Sequence, residues 1–242
     1  MGGALASAVA YAAVAAATER PFFGVPIAAL AVFLAWAISR ELDPDRPKVA
    51  SWSMALAFGA LVYELPSAAA AAVALIAVRV IAGTVGKQIT WVDVVALAVF
   101  GVAAGSNPVI WLPGLAIGMW LASSPEVGDL RYFGLAALVA GGGVSAWFAG
   151  PSSVEITQEA YILAAVGAAA MLFAMTPRTV VAMTDSRSGP VDASRVALAR
   201  RAAGSFLMWG AVMGGVAGFW MVSPILAALI ATGYAKWFSP GA

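Results

Sequence analysis

Glu64, Arg79 and Asp93 are ionisable residues that lie within or at the edge of long apolar runs. Placing an arginine at the centre of a bilayer costs at least ~2.5 kcal/mol, so charges in such runs are candidates for a solute or ion path. Each also has a plainer role. Glu64, in Tyr63-Glu64-Leu65-Pro66, stands beside a proline turn where the following helix would present its positive end. Arg79 comes shortly before Gly83 and Thr84, near enough to a helix end for its side chain to extend out of the apolar layer. Asp93 follows Thr90 by three, the spacing of a capping box, and an ion pair with Arg79 or Lys87 would close that end of the molecule.

Further acids and bases form local groups. Glu155 and Glu159 are four apart and would share a helix face, as two oxygen ligands or a solvated entrance would. Arg40 to Lys48 interleaves Glu41, Asp43 and Asp45 with Arg40, Arg46 and Lys48 around Pro44 and Pro47. An aspartate-rich loop can hold magnesium on a diphosphate, as in prenyl-transferring membrane enzymes, but two such clusters are needed and this chain has one. The loop therefore reads as a charged turn at lipid headgroups. From Pro190 to Gly204, Arg195, Arg200 and Arg201 face one aspartate, Asp192, in a short helix bounded by ordinary start and stop residues. These arginines are expected to contact headgroups or a partner.

Whole classes of chemistry are absent. The chain has no His, which removes imidazole metal ligation and acid–base catalysis, and no Cys, which removes thiolate nucleophiles, disulfides and Cys-ligated clusters. No cofactor or metal site is expected. A net charge of +1 gives no reason to expect nucleic acid as a partner.

These residues must be positioned by apolar elements, because little else is available. Of 242 residues 62% are hydrophobic and 10% charged, with a mean hydropathy of +0.92. Soluble domains carry about 25% charged residues. The composition predicts an all-α, polytopic membrane protein whose main partner is the lipid bilayer. Ten candidate spans follow: 2–18, 22–39, 49–63, 66–84, 89–105, 108–122, 132–149, 160–176, 205–222 and 224–238. All are at or below the roughly 20 residues that an average bilayer requires. Residues 2–18 read as a span, since a signal peptide would carry a basic leading region.

Two kinds of break alternate between these runs. The short ones hold Pro21, Pro66, Pro108, Pro151 and Pro224, and read as tips of five helical hairpins. The long ones, with Lys236 in the tail, carry every Lys and Arg except Arg20. The positive-inside rule places these loops and both termini in the cytoplasm, with the protein in the cell membrane. The expected organisation is one transmembrane domain over 1–242, with a cytoplasmic loop at 177–204. Two five-helix halves of opposite orientation would satisfy the same count.

Glycines supply the remaining signals. Gly210, Gly214 and Gly218 recur every four residues and predict close helix packing, within the chain or with a second copy or membrane partner. Gly141-Gly142-Gly143 predicts either close packing or a helix break of the kind transporters use. Trp52, Trp91, Trp111, Trp147 and Trp237 fit an interfacial belt. The expected function is transport or conduction of a small solute or ion, with a polar path near Glu64, Arg79 and Asp93. The alternatives are a non-catalytic subunit of a larger membrane complex and, with less support, an enzyme on a lipid-linked substrate.

Overall fold

A computed structural model describes residues 24–105, 108–149, 157–175, 180–186 and 189–238. Its regular elements are helical: α1 Gly24–Leu42, α2 Ala50–Ala60, α3 Ala68–Ala82, α4 Trp91–Gly105, α5 Pro108–Ala122, α6 Arg131–Ala149, α7 Gln158–Ala174, α8 Ala193–Met221 and α9 Ser223–Phe238. No strand occurs among the described residues, where Met183 and Pro190 form an isolated bridge. The chain is therefore all-α. These helices fall on the second to tenth apolar runs, and the run at 2–18 lies outside the described residues. By length and composition, α1 and α8 are long and apolar enough to cross a membrane; the other apolar helices are shorter over their described residues.

Local chemistry sets the boundaries. Ser67 and Thr157 accept hydrogen bonds from the amides of Ala70 and Ala160 and so start α3 and α7. Asp192 accepts from the amide and hydroxyl of Ser194, each at 2.8 Å, and starts α8. Those two bonds hold its carboxyl below the usual carboxylate range. Gly83, at φ 69°, ends α3 in the left-handed conformation, its amide donating to the Arg79 carbonyl at 3.0 Å.

The helices alternate in direction, so their ends collect at two faces. The charged end gathers the C-termini of α1, α3, α5 and α7 and the starts of α2, α4, α6 and α8. The opposite end gathers the proline turns. Helix α8 lies at the centre against α3, α5 and α7, and contributes Phe206 and Leu207 to the main core beside Ile81, Leu97 and Leu121. A smaller core of Ala28, Val32, Ala35, Ala57, Leu61 and Ala227 joins α1, α2 and α9.

One expectation is corrected here and two others are refined. The basic helix expected at 190–204 is not separate: it runs without a stop into the ninth apolar segment as α8, beginning at Ala193. Gly204 ends nothing; the space where its Cβ would sit is taken by Met171. A helix boundary does fall at Val222, just before Ser223-Pro224, and a further break comes earlier, at Gly215, whose φ of 56° and ψ of −136° are closed to L side chains. Twelve residues of straight helix would put Gly210 and Val222 about 18 Å apart. Instead a Cβ on Gly210 would meet Val222 Cγ2 at 2.9 Å, so the chain doubles back at Gly215. Finally, Gly141-Gly142-Gly143 makes no break, because α6 is continuous through all three.

Candidate functional site

Each helix that descends to the charged end leaves its last carbonyls without intrahelical donors. Arginines supply those donors. Arg200 donates from Nε to the Leu42 carbonyl ending α1 and from Nη1 to the Ala174 carbonyl ending α7, both at 2.8 Å. Arg195 donates from Nε to Ile81 at 2.9 Å and from Nη2 to Val80 at 2.8 Å, covering the end of α3. Arg131 donates from Nε to Ala122 at 3.1 Å at the end of α5, and from Nη1 to Pro125 and Gly128 in the turn that follows. Positions 195 and 200 are about 140° apart around a helix, which lets α8 reach three neighbours with two side chains. Gly83 is needed here as well, since a Cβ would come within 2.5 Å of the Arg195 guanidinium carbon.

This arrangement revises the headgroup expectation for two of the three α8 arginines. Arg200 is 3% exposed and Arg195 is engaged with backbone, while Arg201 remains exposed. Burial pushes the Asp43 carboxyl up, and the neighbouring Arg200 guanidinium pulls it back in part.

Beside the caps lies an ionic cluster. Arg79 Nε is 3.6 Å from Glu41 and its Nη2 is 3.1 Å from Asp185, while the Thr84 hydroxyl donates to Glu41. Asp45 accepts from the backbone amides of Val181 and Ala182, at 3.0 and 2.6 Å. The amides of Asp185 and Ser186 donate to the carbonyls of Thr84 and Val85. The segment between α7 and α8 is thus tied across the charged end to the α1–α2 and α3–α4 turns. Among the described residues no group of three metal-ligating side chains forms, and Asp45 is committed to backbone amides.

The expected path residues do not converge. Asp93 accepts from the Thr90 amide at 2.8 Å and hydroxyl at 2.7 Å, the local cap. Among the described residues it forms no ion pair with Arg79, whose partners are Glu41 and Asp185. Glu64 is exposed at the opposite end, where it accepts from the Leu65 amide and where Tyr63 stacks on Trp220 at 4.4 Å. Glu159 is exposed in the first turn of α7, and Glu155 lies outside the described residues.

No known protein family, curated protein or solved structure matches the chain.

The glycine faces explain how the helices approach. A Cβ on Gly141 would come within 2.9 Å of the Val102 amide nitrogen and 3.0 Å of the Ala98 carbonyl, so α6 meets the α4 backbone directly. Gly142 is covered by the Trp111 indole, and a Cβ on Gly143 meets nothing within 4 Å. Trp111 is therefore a packing residue, not part of an exterior belt, and its indole nitrogen is buried without a partner. Gly210 and Gly218 face each other across the reversal at Gly215, while Gly214 is partly buried beside it. A small cavity is lined by Val73, Gly101, Ala104, Trp111, Leu138 and Phe206. It has room for about one water.

Proposed function

We propose that this chain is a multi-pass membrane protein that moves a small solute or ion, here closed at its charged end. The membrane reading is supported by the outward face of α4, where Val92, Val95, Val99 and Val102 are 78%, 58%, 59% and 44% exposed. A helix facing water carries polar residues on that stripe. Aromatic residues collar both ends. Trp52 with Tyr234, Trp91 with Phe133 and Arg131 over Tyr132 lie at the charged end. Trp147 and Phe148 stand exposed at the other. From Tyr132 to Trp147 the α6 helix rises about 22 Å, the span of a thin hydrocarbon layer. With its arginines and lysines, the charged end is the cytoplasmic one under the positive-inside rule.

The observation that carries transport is the Trp111 indole nitrogen, buried without a partner beside the cavity inside the bundle. A buried polar group without a partner is costly in a dry interior, and a water or solute in the cavity would satisfy it. Glu64, Arg79 and Asp93 have other partners, so the path runs instead past the cavity between α3, α4, α5, α6 and α8. The second reading, a non-catalytic subunit, is favoured by the small apolar interior and by the structural work assigned to Arg79, Asp93, Arg195 and Arg200.

The natural absence of cysteine makes the test direct. A Cβ on Gly114, which lines the cavity, meets nothing within 4 Å, so Gly114→Cys fits without crowding. In sealed vesicles, Gly114→Cys is expected to react with an impermeant thiol reagent from one side, at a rate that shifts severalfold across a panel of ions and small metabolites. Glu64→Cys marks the accessible opposite end. If Gly114→Cys stays unlabelled from both sides under every condition while Glu64→Cys labels, the interior is dry and the subunit reading replaces transport.

A further inference from the structure

The inserted segment before α8 has an organisation of its own. Thr184 donates to Gly189 at 3.0 Å, Val191 donates to Ala182 at 2.9 Å, and Met183 bridges Pro190, so residues 180–186 and 189–191 form one folded unit. Val191 and Thr184 point inward and are nearly buried, while Val181, Met183 and Asp185 are exposed. The unit is fastened at two places far apart in sequence. On one side, both the Val181 and Ala182 amides depend on the single carboxylate of Asp45. On the other, the Asp185 and Ser186 amides donate to Thr84 and Val85, with Arg79 paired to the Asp185 carboxylate. Beneath it lie Thr84, which is buried, and Glu41.

We propose that this unit is a latch across the charged end that opens as a whole, with Asp45 as its catch. Charge-assisted bonds to a carboxylate are about twice as strong as neutral ones, so Asp45 dominates the fastening. The Arg79–Asp185 pair adds less, being a single contact at 3.1 Å between two exposed side chains, whereas Asp45 holds two backbone amides at once. A loop unit held this way opens well below the free energy of unfolding the bundle. Opening uncovers Thr84 and Glu41 to solvent and unties the α1–α2 turn from the α3–α4 turn. The latch goes beyond the transport reading and stands or falls separately from it.

Amide hydrogen exchange tests this in the full chain. In the natural protein, the amides of Val181, Ala182, Asp185 and Ser186 are expected to exchange at one common rate, well ahead of Ala77 and Leu207 in the bundle. In Asp45→Ala, Asp185 and Ser186 are expected to exchange at least about tenfold faster together with Val181 and Ala182, although Asp45 bonds only the latter two. Acceleration confined to Val181 and Ala182 would show two independent contacts and overturn the latch. So would exchange of all four amides in the natural chain only at the rate of Ala77 and Leu207.

Discussion

Arg200→Ala is expected to destabilise the protein by roughly 2–6 kcal/mol, since two buried carbonyls lose their donor at about 1–3 kcal/mol each. The carbonyls are those of Leu42 and Ala174, the last residues of α1 and α7. The variant also leaves the buried Asp43 carboxyl without the cation that most offsets its burial. Arg200→Lys keeps the charge but not the fork that reaches two carbonyls at once, and is expected to recover at most about half of the loss. The exposed neighbour supplies the control: Arg201→Ala should stay within about 0.5 kcal/mol of the parent. Unfolding midpoints in detergent measure all three. An Arg200→Ala variant as mild as Arg201→Ala would mean that the caps do not hold the charged end together.

The second large effect separates three consecutive glycines. Gly142→Ala places a methyl group where the Trp111 ring sits, and overpacking of this kind costs about 1–3 kcal/mol or more. In a Trp111→Ala background the obstacle is gone, and the same change is expected to be neutral or to stabilise by up to about 1 kcal/mol through helix propensity. The double-mutant cycle should therefore show a coupling of at least about 1 kcal/mol. Gly143→Ala, with open space around its Cβ, is expected to be harmless in either background. Additive effects of Gly142→Ala and Trp111→Ala would contradict the packing of α5 on α6 at that point.

What was legible in the sequence follows from range. The helices lie where continuous apolar runs end in prolines or charges, because both signals act within a few residues. The Thr90–Asp93 cap was legible for the same reason: a spacing of three is local. The arginine caps were not. Nothing near Arg200 in sequence indicates that it meets the ends of α1 and α7, so its charge alone suggested lipid headgroups. The Asp45 contacts with Val181 and Ala182 cross more than a hundred residues and leave no spacing to read.

The same limit of range applies to Glu64, Arg79 and Asp93. Those residues were singled out because their neighbours in sequence are apolar, yet each sits near a helix end where a backbone amide or an opposite charge is within reach. The break at Gly215 was hidden inside the glycine repeat of α8, whose spacing of four resembles a packing face. The backbone angles of Gly215 and the approach of Val222 to Gly210 reveal that the chain turns there.

The account depends first on α4 facing hydrocarbon, and nitroxide labels can read this directly. With single labels at Val95→Cys and Val99→Cys in proteoliposomes, the account predicts high collision rates with oxygen and low rates with the water-soluble complex NiEDDA at both positions. Rates in the opposite order at both positions would place the valine stripe in water and contradict the reading of this chain as a membrane protein.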